Sequence, residues 1–144
     1  MIIKSATTAD YDRLMHVWAS AVKATHHFLA EEDFLYFKSI IAEQFFPQVQ
    51  LYGIWDKDGV LQAFLGTADD MLEMLFVEAD VHGQGYGKAL LEFAIHTLGI
   101  RKVDVNEQNE GATAFYLSQG FAIQSRSEKD GMGKDYPILH LSLA

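Results

Sequence analysis

Residues 75–88 read LFVEADVHGQGYGK, and this segment is the most informative part of the sequence. An apolar run ends in a turn that carries Gly83, Gly85 and Gly87 at alternate positions, and a helical apolar pattern follows. Glycine lets the backbone approach a ligand closely, and the free N–H groups at a helix N-terminus form an anion site. The stretch therefore predicts a strand, a phosphate-binding turn and a helix, in that order.

Two widespread phosphate-binding patterns do not fit this turn. A P-loop requires glycine at position 82 and Ser or Thr at position 89, where this chain has His82 and Ala89. A dinucleotide fingerprint requires its third glycine at position 88 or 90, where this chain has Lys88 and Leu90. The turn is thus predicted to hold a different phosphate-bearing cofactor, with a purely structural glycine-rich turn as the alternative.

Hydrophobic periodicity before the turn predicts two helices and four strands. A strand is expected over 1–4, and a helix follows the cap at Thr7–Asp10 and runs to about 24. A second helix is expected from Glu31 to just before Pro47. Three strands should then occupy residues 50–56, 60–67 and 70–78, the first two joined by a hairpin at Asp58-Gly59.

After the turn the pattern predicts two more helices and three strands. The helix over 84–98 should end at Gly99, and Asn109 should cap a helix over 110–119. Strands are expected over 101–106, 121–127 and 136–143. The predicted order is βααβββαβαββ, an α/β chain with a mixed sheet and helices on both faces.

Composition limits the class of protein. The 144 residues, of which 49% are hydrophobic, suffice for the core of one domain, residues 1–144. The formal net charge of -9 argues against a nucleic-acid partner, which requires a basic surface. The absence of cysteine excludes disulfides, thiolate metal sites and a cysteine nucleophile. No signal-peptide pattern or membrane-spanning run is present, so we expect a cytoplasmic protein without membrane contact.

The turn and its surroundings resemble the GNAT family of N-acetyltransferases. In that family the pattern Arg/Gln-x-x-Gly-x-Gly/Ala holds the pyrophosphate of acetyl-CoA, and here Gly85 and Gly87 match it while His82 replaces Arg or Gln. The run VNEQN over 105–109, followed by Phe115-Tyr116 and Gly120-Phe121, is similar to a later motif of the family.

Two further segments look like the bacterial YjaB-type branch of the family. They are ATHHFL over 24–29 and YPIL over 136–139. The resemblance covers nearly the whole chain and implies the GNAT fold, with a mixed, mostly antiparallel sheet of six to seven strands.

The resemblance also implies acetyl-CoA as cofactor, with coenzyme A as product. The backbone of Leu75, Phe76 and Val77 would hold the pantetheine arm, and Asn109 would contact the cofactor from the next helix start. The pyrophosphate would lie on the turn, on Gly83, Gln84, Gly85, Tyr86, Gly87 and Lys88. His82 would contribute less than arginine and in a pH-dependent way, since histidine is only partly charged near pH 7.

Three residues are candidates for proton transfer. Tyr116 matches the tyrosine that protonates the departing thiolate in the family, and a phenol stays protonated at neutral pH. Glu73 is the first candidate for the base, because alternation along a strand places it on the same face as Leu75 and Val77. Asp104 is the second candidate, since some relatives carry an acidic base five residues before the position of Asn109. A packing role beside Phe115 remains the alternative for Tyr116, and an ordinary strand carboxylate the alternative for Glu73.

The acceptor side is less defined by sequence. The resemblance implies that the loop between the first two helices lines it, so His26, His27, Phe28 and Tyr136 are candidate substrate contacts, with core or turn roles as alternatives. The six histidines form no spaced ligand set, so no metal is expected.

These observations predict an acetyl-CoA-dependent N-acetyltransferase. The acceptor would be a primary amine, in a small molecule, a peptide N-terminus or a lysine, attacking directly in a ternary complex. The alternative is a non-catalytic acyl-CoA-binding module of the same fold. A monomer or homodimer is expected.

Overall fold

The computed structural model describes residues 2–143, and its strands and longer helices follow the predicted order. The chain forms two units, one ending at Ile100 and one beginning at Arg101. The strands of the first unit are β1 (Ile2–Ser5), β2 (Gln50–Trp55), β3 (Leu61–Ala68) and β4 (Met71–Val77). Its helices are α1 (Tyr11–Thr25), α2 (Glu31–Ile40) and α3 (Tyr86–His96). The second unit contains β5 (Lys102–Asn106), α4 (Glu110–Ser118), β6 (Phe121–Ser127) and β7 (Ile138–Leu143).

The first unit is built on an antiparallel sheet in the order β1-β2-β3-β4. The predicted hairpin turn at Asp58-Gly59 joins β2 to β3, and Gly59 has a φ of +78°. Asp56 fixes this turn, because its Oδ1 accepts the N–H groups of Asp58 and Val60 at 2.9 and 3.0 Å. The sequence signal for the hairpin is therefore confirmed.

Helix α1 forms because its apolar residues recur every three or four positions. Leu14, Val17 and Trp18 are buried, and Trp18 stacks on Phe34 of α2 with 5.2 Å between ring centroids. Burial of each large side chain contributes about 1.5–3 kcal/mol. The core of this unit thus lies between α1, α2 and the sheet.

The second predicted helix is interrupted, which corrects the expectation that it continues to Pro47. Helix α2 ends at Ile40, a π-helical turn covers Ile41–Phe45, and a 3-10 turn covers Phe46–Gln48. Pro47 lies inside this last turn because proline has no N–H and its ring clashes with the carbonyl four residues earlier in an α-helix. The chain changes helical type instead of simply ending before the proline.

The second unit has an antiparallel sheet in the order β5-β7-β6, with α4 beside it. Asn109 caps α4 as predicted, since its Oδ1 accepts the N–H of Ala112 at 3.1 Å. Alternate residues of β5 and β7 are buried, while the opposite face carries polar side chains and Ile138; the buried ones are Val103, Val105, Leu139 and Leu141. No helix within residues 2–143 combines the length and the apolarity needed to cross a membrane.

Candidate active site

The glycine-rich turn has the backbone geometry of an anion site. Gly83 and Gly85 have φ values of +80° and +87°, a region that L side chains avoid, and a Cβ on either would meet nothing within 4 Å. Gly85 is the N-cap of α3, so no side chain occupies the first N–H groups of the helix. Tyr86 is buried and anchors the helix start, while Gln84 and Lys88 are exposed. The turn leaves the free N–H groups open to a phosphate.

His82 braces the turn against the preceding strand. Its Nε2 is 2.9 Å from the carbonyl oxygen of Val77, the last residue of β4. A second bond closes the intervening 3-10 turn, from the N–H of His82 to the carbonyl of Ala79 at 3.3 Å. One ring nitrogen of His82 is therefore engaged within the protein, at the position where the family has Arg or Gln.

Strand β4 carries a β-bulge at Glu73. The register passes from Leu72 opposite Thr67 to Met74 opposite Gly66, so Glu73 is the extra residue of the bulge. A bulge interrupts side-chain alternation, and the premise that Glu73 shares a face with Leu75 and Val77 does not hold across it. Beyond the bulge, Leu75 and Phe76 pair regularly with β3 and are partly buried.

A buried carboxylate that the sequence analysis did not single out ties α1 to the start of this turn. Glu78 is 7% exposed, and its Oε1 accepts the hydroxyl of Ser20 at 2.5 Å. The same hydroxyl oxygen accepts the N–H of Ala79 at 3.0 Å. Arg13 Nη2 and His16 Nε2 lie 3.7 and 3.3 Å from Glu78 Oε2, which makes no hydrogen bond within residues 2–143. In the sequence, the feature that could have identified Glu78 is its position as an acidic residue directly after an apolar strand.

The histidine pair lies where α1 ends. His26 is the C-cap residue, its Nδ1 is 2.8 Å from the hydroxyl of Thr25, and its ring is 5.2 Å from that of Phe28. Burial, and then the neighbouring His27, lower the pKa of His26. His27 is exposed. The loop therefore places the neutral imidazole of His26 against the ring of Phe28, and the imidazole of His27 next to them is exposed.

Tyr116 lies on the buried face of α4 in the second unit. Its ring centroid is 5.3 Å from that of Phe115 and 5.7 Å from that of Phe121. Burial raises the pKa of the Tyr116 phenol, so the group holds its proton at every physiological pH. Asn109, seven residues earlier, uses its side-chain oxygen for the helix cap, which leaves the amide NH2 for a ligand.

Asp104 is linked to a histidine and a serine on neighbouring strands. Its Oδ1 is 2.7 Å from His140 Nδ1, and His140 Nε2 is 2.7 Å from the hydroxyl of Ser127. The sequence analysis considered Asp104 alone, because nothing local connects residues 104, 127 and 140. Antiparallel pairing of β5, β7 and β6 brings them together.

The remaining predicted residue, Tyr136, lies in the loop that precedes β7. Its N–H donates to the carbonyl of Lys134 at 2.8 Å, and Asp130 Oδ1 accepts the N–H groups of Met132 and Lys134, each at 2.9 Å. Asp130 thus organises the loop that presents Tyr136. Within residues 2–143 no three His, Asp or Glu side chains are grouped so that they would share a metal ion.

Comparison with known proteins identifies the fold and the family. Residues 23–123 match the family model described as an acetyltransferase (GNAT) domain. The chain is 35% identical over 140 residues to peptidyl-lysine N-acetyltransferase YjaB of Salmonella typhimurium, covering 96% of this chain and 95% of that protein.

Solved structures agree with that family. The solution structure of apo-form YjaB from Escherichia coli has a TM-score of 0.90 and 32% identity, covering 100% of this chain and 99% of that one. The PaiA N-acetyltransferase of Thermoplasma acidophilum, solved with coenzyme A, has a TM-score of 0.73 at 20% identity over 97% and 98% of the chains, which shows the fold alone. The predicted fold class is confirmed, and the chain belongs to the GNAT family of acetyltransferases.

Proposed function

We propose that this enzyme transfers the acetyl group of acetyl-CoA to the side-chain amine of a lysine in a peptide or protein. The observation that supports the binding of acetyl-CoA, which we call the cofactor half of the proposal, is the turn before α3. There two glycines in the left-handed conformation expose the first N–H groups of the helix. The acceptor half is supported by the near full-length similarity to YjaB, a protein named for peptidyl-lysine acetylation. Residues 1–144 would act as one acetyltransferase domain.

The residues of the first unit fit a nucleotide-linked thioester. The N–H groups of Gly83 to Lys88 would hold the pyrophosphate, with the Lys88 ammonium adding positive charge. The backbone of Leu75, Phe76 and Val77 would bind the pantetheine arm as an added strand. His82 would act chiefly through its bond to Val77, which fixes the turn relative to the end of β4.

The chemistry needs one proton donor and one proton acceptor. The amine nitrogen attacks the thioester carbonyl carbon, a C–N bond forms, the C–S bond breaks, and the sulfur takes a proton. Tyr116 would supply that proton, because its buried phenol is protonated throughout the physiological range. The acceptor amine arrives as an ammonium ion and must lose a proton before it attacks. We assign the removal of that proton to a carboxylate, that of Glu73 or of Asp104.

A matched pair of glycine variants tests the cofactor half. Gly85→Ala and Gly59→Ala each place a Cβ at a positive φ with open space around it, so both lose about 1–2 kcal/mol of folding stability. Only Gly85 lies in the proposed cradle, so only Gly85→Ala should weaken acetyl-CoA binding, by about tenfold or more in a calorimetric titration. Equal acetyl-CoA affinity in the two variants would contradict the cradle.

The acceptor half is tested with peptides. Wild-type enzyme and acetyl-CoA are incubated with a lysine peptide, with the same peptide acetylated on that lysine, and with a free polyamine, and coenzyme A release is followed. We expect release only with a free peptidyl lysine. Faster release with the polyamine would assign a small-molecule acceptor instead.

A further inference from the structure

The segment around the glycine turn has an unfavourable charge balance for a pyrophosphate site. Glu78 and Asp80 precede the turn and Lys88 follows it, so this segment contains two carboxylates and one ammonium group. His82 stands where the family has Arg or Gln, and its Nε2 is 2.9 Å from the carbonyl oxygen of Val77. Negative charge near the turn opposes the binding of an anion unless a cation compensates it. A compensating cation is therefore expected from elsewhere in the first unit.

Helix α1 brings a guanidinium to the carboxylate at the start of this segment. Arg13 Nη2 lies 3.7 Å from Glu78 Oε2, and Arg13 Nε donates to the carbonyl of Leu61 at 2.8 Å, which holds the side chain in place. His16 Nε2 lies 3.3 Å from the same carboxylate oxygen. Because a guanidinium is charged at every physiological pH, Arg13 supplies a permanent positive charge at this point.

Burial makes the charge of Glu78 depend on these partners. Its side chain is 9% exposed, and in the described part of the chain Oε2 makes no hydrogen bond. The hydroxyl of Ser20 bonds only the other oxygen, Oε1. Salt screens a buried charge poorly, and a buried charge that loses its partner is costly. The negative charge on Oε2 is therefore compensated by the side chains of α1.

Glu78 lies close enough to the turn for its charge to act on a bound phosphate. The N–H of Val81 donates to the carbonyl of Glu78 at 3.1 Å, and the N–H of His82 donates to that of Ala79 at 3.3 Å. Each bond closes a turn whose first and last Cα atoms lie within about 7 Å of each other. Gly83 follows directly, so the carboxylate and the turn are separated by roughly one Debye length at 0.1 M salt, about 10 Å.

We propose that Arg13 neutralises Glu78 and thereby allows the turn to bind the pyrophosphate of acetyl-CoA. It replaces from α1 the positive charge that the family pattern permits at position 82. Arg13 acts through Glu78 and does not touch the cofactor, so it is a positioning residue. Without Arg13, the buried carboxylate repels the phosphates and weakens the binding of ligands that carry them. This inference rests on the proposed function.

Calorimetric titration with acetyl-CoA tests the proposal through single and paired charge changes. Arg13→Gln should weaken binding by about three- to tenfold, and Arg13→Lys, which keeps the charge, should stay within about twofold of the wild type. Glu78→Gln keeps an oxygen for Ser20 and should bind about two- to fivefold more tightly, because the Arg13 charge is then uncompensated. The Arg13→Gln/Glu78→Gln double variant should recover wild-type affinity, because both members of the pair are removed.

Two smaller probes separate an effect of charge from an effect on structure. Inorganic pyrophosphate, added as a competitor of acetyl-CoA, should rank the variants in the same order as acetyl-CoA does. S-acetylpantetheine, which carries no phosphate, should bind all the variants equally in a chemical-shift titration. A parallel loss of pyrophosphate and S-acetylpantetheine binding in Arg13→Gln would show a merely structural role and overturn the proposal.

Lys4→Gln is the matched control, because it removes one positive charge from β1, which β2 and β3 separate from β4. It should bind acetyl-CoA as the wild type does. Wild-type affinity in Arg13→Gln, or no recovery in the double variant, would overturn the proposal. If Arg13→Gln does not fold, Glu78→Gln decides, and an affinity no higher than that of the wild type overturns the proposal. A wild-type protein that binds no acetyl-CoA would instead contradict the proposed function.

Discussion

Tyr116 illustrates how the surroundings of one residue set its chemistry. The aromatic rings of Phe115 and Phe121 enclose the phenol, and burial raises its pKa because the phenolate would lose its hydration. A phenol that does not ionise near neutral pH always has a proton to offer; its raised pKa makes it a weaker acid, so the proposed donation depends on a hydrogen bond to the sulfur that forms as the C–S bond breaks.

Replacing Tyr116 by phenylalanine tests this role. The ring packing is retained and the proton is lost, so kcat should fall by about 10²-fold or more while the Kd for acetyl-CoA changes little. Tyr11→Phe is the control, because Tyr11 packs edge-on against Phe46 in the core of the first unit. Stopped-flow measurement of thioester cleavage compares the variants, and an unchanged rate in Tyr116→Phe would remove the acid role.

His26 should make folding stability depend on pH. Its pKa is lowered in the folded state, first by burial and then by His27, so the unfolded chain binds a proton at higher pH than the folded one. The folding stability that depends on neutral His26 is therefore fully present above about pH 6.5 and is lost as the pH falls below that value.

The matched variants are His26→Gln and His96→Gln, because His96 is exposed at the end of α3. Urea unfolding between pH 5 and pH 8 should show a smaller loss of stability on acidification in His26→Gln than in the wild type. His96→Gln should follow the wild type. A wild-type slope in His26→Gln would assign the acid sensitivity to other groups.

At the scale of elements, the turn before α3 is held by residues far from it in the sequence. Ser20 of α1 bonds both Glu78 and the N–H of Ala79, which fixes where β4 ends and where the glycine turn begins. The glycines provide the backbone conformation, while α1 provides the position.

Ser20→Ala should destabilise the protein by about 1–3 kcal/mol, because it leaves Glu78 Oε1 and the N–H of Ala79 without this partner. Ser39→Ala in α2 is the control, since Ser39 is exposed and its hydroxyl donates to the carbonyl of Tyr36 one turn earlier in the same helix. It should change the free energy of unfolding by less than about 0.5 kcal/mol. Urea unfolding measures both, and equal values would show that the Ser20 link does not hold the turn.

At the scale of the whole molecule, the formal net charge of -9 favours a cationic acceptor. An excess of negative charge raises the local concentration of positively charged substrates and speeds their encounter. The effect is screened by salt, with a Debye length of about 10 Å at 0.1 M.

The predicted consequence is a salt-dependent kcat/KM. Raising sodium chloride from about 0.05 to about 0.5 M should lower kcat/KM several-fold for a lysine peptide with basic neighbours and leave kcat nearly unchanged. The same peptide with acidic neighbours is the control and should show the opposite trend. If both peptides respond alike, the net charge serves solubility alone.

The amino-acid sequence was sufficient to predict the order of the elements, the hairpin and the cap at Asn109, and its motifs indicated an acetyltransferase family by resemblance. The element order, the hairpin and the cap depend on local rules, such as helical periodicity, positive φ at glycine and side-chain capping, which are visible within a few neighbouring residues. The change of helical type before Pro47 was not visible, because several helix types satisfy the same short pattern.

Which distant side chains lie together became visible in the folded protein. Ser20 meets Glu78 across 58 positions, and Asp104 meets His140 across 36, because helix packing and antiparallel register bring distant residues together. The bulge at Glu73 likewise depends on pairing with β3, and it changes which face each later side chain takes. These bonds depend on how elements far apart in the chain pack and pair, and no short stretch of sequence contains both partners.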